Sequence, residues 1–157
     1  TGNVSYDPEN HELMVKARQE KVDRIADFIP DQRLDSGPEK GNLLVLGWGS
    51  TYGSIKTAVA ELQREGLAVS HAHLRYIRPF PKNLWQIIGN FEEVLIPELN
   101  NGQLIRIIRD QYFVDAVGYN KIMGIPFTRS ELIRKMRDML EAQSQRPPKA
   151  AGLRQKA

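Results

Sequence analysis

A glycine loop between an apolar run and a helical stretch constrains the fold of this chain most. Residues 47–53 (GWGSTYG) follow the apolar run 43–46 and precede a helix-like stretch at 55–65. A strand that ends in such a loop and turns into a helix begins a βαβ unit, whose loop lies at the carboxyl edge of a parallel sheet, where ligands usually bind. The spacing G-x-G-x-x-x-G is one residue longer than the dinucleotide fingerprint G-x-G-x-x-G. The loop therefore predicts the fold more firmly than it predicts a cofactor.

From residue 42 onward, apolar runs and helical patterns alternate along the chain. The predicted strands are 43–47, 68–76, 93–96 and 112–117, and the predicted helices are 51–65, 83–89, 103–110 and a last one capped by Thr128. Short strands separated by helices imply a mainly parallel sheet that is covered on both faces. Because such crossovers are right-handed, the expected fold is a three-layer α/β/α domain over residues 42–142.

The two ends of the chain differ from this α/β region in composition and in hydrophobic pattern. Asp7 and Pro8 suit the start of a helix, since Asp caps and Pro fits the first turn. The helix that follows has one narrow apolar stripe, which indicates a connector packed on another surface. Residues 1–41 are accordingly predicted to be a connector helix and a linker. Residues 143–157 carry four basic residues and neither an acidic nor an aromatic one. This composition predicts a flexible tail, and a nucleic-acid arm is the weaker interpretation.

The composition excludes several kinds of chemistry. None of the 157 residues is cysteine, so the chain itself has no disulfide, thiolate nucleophile or cysteine-ligated iron–sulfur cluster. His71 and His73 would share one face of a strand, but no third ligand accompanies them and no metal site is predicted. No apolar run approaches the ~20 residues of a membrane helix, and the N-terminus has no signal pattern. We therefore expect a fragment of a longer soluble, cytoplasmic polypeptide.

The glycine loop has a functional and a structural interpretation. Backbone N–H groups around Trp48, Ser50, Thr51 and Tyr52 could hold a phosphate at the helix N-terminus. Alternatively, the glycines only make a tight turn, and Ser50 or Thr51 caps the helix. The spacing and the bulk of Trp48 favour packing. Arg75, near the end of the second strand, could suit a 2′-phosphate. An NADP-type nucleotide-binding module is therefore the alternative function.

A second group of candidates follows a later strand. Glu98, Asn100 and Gln103 lie between a predicted strand and a predicted helix, so they gather at the same carboxyl edge as the glycine loop. Glu98 could act as an acid or base, but catalytic carboxylates usually come with a second titrating group. The favoured interpretation is that Asn100 or Asn101 caps the helix and Glu98 binds loop amides.

A third group lies at a strand exit beside two prolines. Arg75, Tyr76, Arg78 and Phe80 combine basic and aromatic side chains, and such a combination more often marks an interface than a catalytic site. No nucleophile–histidine–acid set stands out anywhere in the sequence. No catalytic residue is therefore assigned, and these residues alone indicate a scaffold or assembly unit.

Five short motifs carry a family resemblance. They are DPENH at 7–11 with Arg18 and Lys21, GWGSTYG at 47–53, HLRYI at 73–77 with PFP at 79–81, VLIPELN at 94–100 with GQL at 102–104, and Lys121 with GIPF at 124–127. In this order they resemble the α subunit of 2-oxoacid:ferredoxin oxidoreductases, with the 2-oxoglutarate type as the nearest fit. Within that family, the chain is similar to the C-terminal domain, which is itself like the C-terminal domain of transketolase.

The resemblance implies a role within a larger enzyme. Enzymes of this family use thiamine diphosphate with Mg to decarboxylate a 2-oxoacid, pass electrons through an iron–sulfur cluster to ferredoxin and transfer the acyl group to coenzyme A. The thiamine cofactor lies between an upstream domain and the β subunit, so the resemblance implies that this fragment binds no cofactor itself. The implied partners are the remainder of the α subunit, the β subunit and ferredoxin. The role implied for this domain is the organisation of subunits.

Overall fold

Strands and helices alternate along most of the chain. The computed structural model describes residues 2–145. The strands are β1 (Leu34–Ser36), β2 (Gly41–Trp48), β3 (Val69–Leu74), β4 (Phe91–Glu98) and β5 (Val117–Asn120). The α-helices are α1 (Pro8–Asp23), α2 (Tyr52–Arg64), α3 (Leu84–Gly89), α4 (Gln103–Tyr112) and α5 (Arg129–Ser144), with short 3-10 turns at Arg24–Asp27 and Gly49–Thr51.

The strands form one sheet in the order β1-β3-β2-β4-β5. The four strands β3, β2, β4 and β5 are parallel, and β1 pairs antiparallel to β3 at one edge. Trp48 pairs with Leu74 at the end of β2 and β3, and Glu98 pairs with Asn120 at the end of β4 and β5. The carboxyl ends of the parallel strands therefore meet at one edge of the sheet. The predicted mainly parallel α/β fold is confirmed.

Apolar side chains are buried on both faces of the sheet, which explains the continuous apolar runs of β2 and β4. Leu44 and Leu46 face a cluster built with α3 and α4, whereas Leu43 and Val45 face a cluster built with α2 and α5. Successive side chains of a strand point to opposite faces, so one run of four apolar residues supplies both clusters. Together the two clusters make the three layers that the sequence predicts.

The last strand lies later than the sequence predicts. Residues 112–117 were expected to form it, but α4 continues to Tyr112 and β5 is Val117–Asn120. Aromatic and β-branched residues near 112–117 favour a strand; tertiary packing decides otherwise, because Tyr112 contacts the α3–α4 cluster at the end of the helix. Phe113 then adopts a left-handed conformation, with φ of 50°, and ends the helix.

The connector helix begins where Asp7 and Pro8 predict its start. Asp7 accepts a hydrogen bond of 3.1 Å from the backbone N–H of Glu9 and caps α1. Helix α1 ends at Asp23 and has no buried residue within the part of the chain that the structure describes. The predicted linker contains β1, which pairs with β3, so part of the linker belongs to the sheet. The domain division at residue 42 stays a prediction.

The C-terminal helix overlaps the first residues of the predicted tail. Thr128 caps α5 with its hydroxyl and Glu131 bonds back to the Thr128 backbone N–H, which is the reciprocal arrangement of a capping box. The helix runs to Ser144, so the tail predicted from residue 143 begins within it. Residues 146–157 lie outside the described part of the chain.

Candidate functional site

The carboxyl edge of the sheet collects most of the predicted site residues. Because β2, β3 and β4 end together, this edge holds the residues that follow them: Trp48, Ser50, Thr51, Tyr52, Arg75, Glu98, Asn100 and Gln103. Arg78 and Phe80 lie further along the chain, on the side of α3 and α4, and Phe80 belongs to the cluster on that face. Trp48 packs against the same cluster, so the predicted set extends from the carboxyl edge onto this face of the sheet.

The glycine loop packs against the protein itself. A Cβ atom on Gly47 would lie 2.5 Å from Ile55 Cδ1 and 2.9 Å from His73 Nδ1, so the position has room only for glycine. Thr51 donates its hydroxyl to the Trp48 carbonyl at 2.8 Å and accepts from the Trp48 N–H at 3.3 Å. Thr51 is the N-cap residue of α2, but its side chain makes no capping hydrogen bond to that helix. The loop is thus closed by its own contacts.

The acidic candidate at this edge binds the start of α4. Glu98 is fully buried; its Oε1 accepts from Leu104 N at 2.8 Å and its Oε2 from Ile105 N at 3.1 Å. Asn100 Oδ1 accepts from Gly102 N at 2.8 Å and from Gln103 N at 3.0 Å. A carboxylate at a helix N-terminus is stabilised by the free amides and the helix dipole. The N-cap residue of α4 is Gly102, so Asn100 binds the turn before the helix and its first amide, and Glu98 binds amides of the helix and not of the loop.

Two histidines, weighed from the sequence only as metal ligands, form a cluster with Tyr52 of the glycine loop. The ring of Tyr52 lies 5.7 Å from that of His71 and 4.9 Å from that of His73, centroid to centroid. His71 is fully buried, and neither of its ring nitrogens has a hydrogen-bond partner within residues 2–145. Burial lowers the pKa of His71 to about 4. Its imidazole is therefore neutral near pH 7. The alternation of His71 and His73 with apolar residues is the sequence signal for this inward face.

His73 links this cluster to the glycine loop. Its Nε2 lies 3.2 Å from the Gly49 carbonyl oxygen, and its Nδ1 is buried without a partner in the described residues. Burial lowers the pKa of His73, partly offset by that contact. Within residues 2–145, no group of three or more His, Cys, Asp or Glu side chains is placed to hold a metal ion.

Two surface cavities of about 480 Å³ each lie beside the basic and aromatic candidates. Arg75 and Tyr76 line the first, at the exit of β3, together with Arg33 and Asp35. The second is lined by Ala26, Arg78, Pro79, Trp85, Ile107 and Tyr112, among others. Burial raises the pKa of Tyr112 to about 12, which keeps its hydroxyl protonated at neutral pH. Arg75 and Arg78 line different cavities, and Pro81 lines both.

A buried ion pair at the end of β5 is a feature that the sequence analysis missed. Lys121 donates to both carboxylate oxygens of Glu131, at 3.0 and 2.9 Å, and to the Pro126 carbonyl at 3.0 Å. Only 8% of the Lys121 side chain is exposed. The hydrogen bonds from Lys121 and Thr128 lower the pKa of Glu131 to about 2. The sequence signal was Glu131, three residues after the cap Thr128.

The structure defines the chain as a mainly parallel α/β domain. A split-gene transketolase structure shares the fold, with a TM-score of 0.52 at 14% identity over 68% of this chain and 39% of that one. The family model of pyruvate:ferredoxin oxidoreductase core domain II matches residues 42–127. The chain belongs to this family, and its resemblance to the α subunits of 2-oxoacid:ferredoxin oxidoreductases is confirmed.

Three relatives illustrate that resemblance. The 2-oxoglutarate oxidoreductase subunit KorA of Mycobacterium tuberculosis is 43% identical over 140 residues, which make up 89% of this chain and 21% of the relative. The 2-oxoacid:ferredoxin oxidoreductase subunit alpha of Saccharolobus solfataricus is 29% identical, over 83% of this chain and 22% of its own. The 2-oxoglutarate:ferredoxin oxidoreductase of Magnetococcus marinus, solved with 2-oxoglutarate, coenzyme A and succinyl-CoA bound, gives a TM-score of 0.81 at 28% identity, over 89% of this chain and 25% of that one.

This chain spans about a fifth to a quarter of the length of these relatives. None of the helices in residues 2–145 combines the length and the apolar character that crossing a bilayer requires. The alternative of a nucleotide-binding module is not favoured, because the matches are to oxidoreductase subunits.

Proposed function

We propose that this chain is the C-terminal assembly domain of the α subunit of a thiamine-diphosphate-dependent 2-oxoacid:ferredoxin oxidoreductase of the 2-oxoglutarate type. The whole enzyme would convert a 2-oxoacid and coenzyme A to acyl-CoA and carbon dioxide, and pass the two electrons to ferredoxin. The observation that carries the proposal is the 43% identity, over 89% of this chain, to a 2-oxoglutarate oxidoreductase subunit.

An assembly role, without catalysis by this domain, is supported by the hydrogen bonds of its polar side chains, which go to the protein's own backbone. At the carboxyl edge, both oxygens of Glu98 bind amides of α4, and Asn100 and Thr51 bind neighbouring backbone groups. A general acid or base needs a free oxygen within reach of a substrate proton. Glu98 has both of its carboxylate oxygens committed to the helix, so it serves the structure of the edge.

The cofactors of the whole enzyme are assigned to other parts of the assembly. The chain contains no cysteine, so the thiolate ligands of an iron–sulfur cluster have to come from a partner. We assign thiamine diphosphate and Mg to the remainder of the α subunit and to the β subunit. Coenzyme A and ferredoxin would likewise act on the assembled enzyme, which we place in the cytoplasm.

The substrate assignment is tested on the assembled enzyme. The full-length α chain that contains this segment is co-expressed with its β subunit, and the reduction of ferredoxin is measured anaerobically with coenzyme A and each 2-oxoacid. We expect 2-oxoglutarate to give the highest kcat/KM. A higher kcat/KM for pyruvate or a branched 2-oxoacid would overturn the 2-oxoglutarate assignment and retain the enzyme class.

The assembly role is tested on the 157-residue chain itself. Calorimetric titration with thiamine diphosphate and Mg is expected to give no binding heat, and hydrogen exchange of the amides of residues 47–53 is expected to be unchanged by NADP. Submicromolar binding of thiamine diphosphate would contradict the assembly-only role. Protection of those amides by NADP would instead support the nucleotide-binding alternative.

A further inference from the structure

The turn between β5 and α5 exposes three large apolar side chains. Ile122, Met123 and Ile125 are 66, 72 and 53% exposed; we call residues 122–125 the β5–α5 tip. Apolar surface left in water forgoes about 25 cal/mol per Å² that burial would contribute. Three such side chains within four residues form a local apolar surface, whereas single exposed apolar residues are common.

The β5–α5 tip is held rigidly at both of its ends. On the β5 side, Lys121 donates its backbone N–H to the Glu98 carbonyl at 2.9 Å. On the α5 side, the Pro126 carbonyl accepts from Lys121 Nζ, and the Phe127 carbonyl accepts from the Ser54 hydroxyl at 2.8 Å. The ring of Phe127 is buried and stacks on that of Tyr119, with centroids 5.0 Å apart.

The support beneath the tip includes the buried ammonium of Lys121. Burying a lysine ammonium and its carboxylate partner costs desolvation energy, which their attraction recovers only with good geometry and further hydrogen bonds. Here those bonds go to Glu131 and Pro126, at the base of the tip. An apolar element held in one conformation loses less conformational entropy on binding. The arrangement is therefore that of a preorganised docking element.

The path of the chain brings the connector to the same edge of the sheet as the tip. Strand β1 runs antiparallel to β3, so residues 30–33 approach the sheet at the carboxyl end of β3, where Gln32 Nε2 donates to the His73 carbonyl at 3.2 Å. The preceding connector α1 has no buried residue within the described part of the chain. The connector therefore joins the sheet at the same edge from which the tip projects, about 20 Å away across four strand spacings.

The length of the relatives suggests which partner could cover the tip. The matched segment is 21 to 25% of their chains, so the greater part of an α-type polypeptide lies outside it. We propose that the β5–α5 tip docks into an apolar surface of the domain that precedes the connector helix in the same full-length α polypeptide. This rests on the proposed function, because it takes the chain to be a segment of such an α subunit. Tyr52 and Tyr76, 37 and 42% exposed, extend the same edge between the connector and the tip.

Photocrosslinking in the assembled enzyme tests the occupant. p-Benzoylphenylalanine replaces Met123 in the full-length α chain, co-expressed with the β subunit, and a matched variant carries it at Ala60, which is exposed on α2. We expect a crosslink within the same chain, from position 123 to the region before the connector, in at least tenfold higher yield than from position 60. A crosslink to the β subunit or to a second α chain, recognised by mixed isotope labelling, would overturn the proposal, as would equal yields.

A charge substitution provides a second readout. In the full-length enzyme, Met123→Asp is expected to raise the hydrogen-exchange rate of the crosslinked surface at least threefold, whereas Gln111→Asp, at an exposed position of α4, should leave it unchanged. Unchanged exchange in both variants would contradict docking. The thermal unfolding of the 157-residue chain should be the same with and without Met123→Asp, which shows that the domain still folds. These readouts do not depend on which 2-oxoacid the enzyme oxidises, so they separate failure of the docking proposal from failure of the substrate assignment.

Discussion

Glu98 Oε1 accepts a hydrogen bond of 2.8 Å from the backbone N–H of Leu104, so the last residue of β4 is bonded directly to the first turn of α4. The second oxygen of the same carboxylate accepts from Ile105. One buried side chain thereby joins the central part of the sheet to the helix that covers it. The residue that most resembles a catalytic acid in the sequence is a structural cap.

Replacing Glu98 with glutamine should destabilise the domain by about 2 kcal/mol. The glutamine amide offers one acceptor oxygen, and its NH2 group would face the N–H of Leu104 or Ile105, leaving a buried donor unsatisfied. The free energy of unfolding from urea titration measures this loss. Gln103→Ala, at an exposed position of the same helix, is the control and should change stability by less than about 0.5 kcal/mol. Equal values for the two variants would contradict the capping role.

Two glycines of the same loop should respond oppositely to alanine. Gly47→Ala places a Cβ 2.5 Å from Ile55 Cδ1, and such overpacking costs about 1–3 kcal/mol. Gly53→Ala meets open space within α2, and helix propensity favours alanine by up to about 1 kcal/mol. Thermal unfolding of both variants measures the difference. If Gly47→Ala were as stable as Gly53→Ala, the packing explanation of the loop would fail.

His71 should make the domain less stable in mild acid. Its pKa is about 4 in the folded protein, against an ordinary value of 6.5, so between these values the unfolded chain binds more protons and stability falls as pH falls. The loss from pH 6.5 to pH 5 should reach about 2 kcal/mol. Asp35, His73 and Lys56 act on the same ring: Asp35 opposes the shift, while His73 and Lys56 add to it.

Urea titrations at pH 7, 6 and 5 measure this slope. His71→Leu should reduce it, because the buried position then has no group to protonate; a smaller slope should remain from His73, whose pKa burial also lowers. His11→Ala, on the exposed face of α1, is the matched control and should keep the slope of the parent chain. A slope in His71→Leu as steep as that of the parent chain would assign the acid sensitivity to another group.

Removing the ammonium of Lys121 should both destabilise the domain and restore the ordinary acidity of Glu131. Lys121→Met leaves a partly buried carboxylate without its main partner, which should lower the free energy of unfolding. The pKa of Glu131, now about 2, should rise toward 4.5. The parent chain should lose the contribution of this pair as pH falls from 4.5 toward 2, because the folded state then takes up its proton later than the unfolded chain.

Carbon-13 NMR of the Glu131 carboxyl and urea unfolding measure the two effects separately. Lys56→Met, which removes an exposed lysine of α2, is the control and should leave both unchanged. An unshifted Glu131 carboxyl in Lys121→Met would show that the Thr128 hydrogen bonds alone hold its pKa low.

Local interactions made the starts of α1 and α5 and the end of α2 predictable. Asp7 and Thr128 cap α1 and α5 as their sequence contexts indicate, and Gly66 has the left-handed conformation, with φ of 85°, expected where α2 stops. Each of these depends on groups within a few residues of one another. The apolar run at the centre of β2 likewise specified a strand buried on both faces.

Contacts between distant segments decided what the sequence left open. Tyr112 was predicted to lie in a strand but belongs to helix α4, because it packs against the α3–α4 cluster. No local sequence pattern predicts this contact. Three other features also depend on the packing of separate chain segments against one another. They are the pairing of β1 with β3, the burial of His71 and the ion pair of Lys121 with Glu131.

By itself, the sequence determined the α/β class, the order of its elements and the family to which the chain belongs, because periodicity, caps and short motifs are local properties of a chain. Only the tertiary structure decided that Glu98 is bound to a helix, that Gly47 has no space for a side chain and that residues 122–125 project from a rigid base. These properties depend on distances between side chains and backbone groups that only the packed sheet and helices bring together.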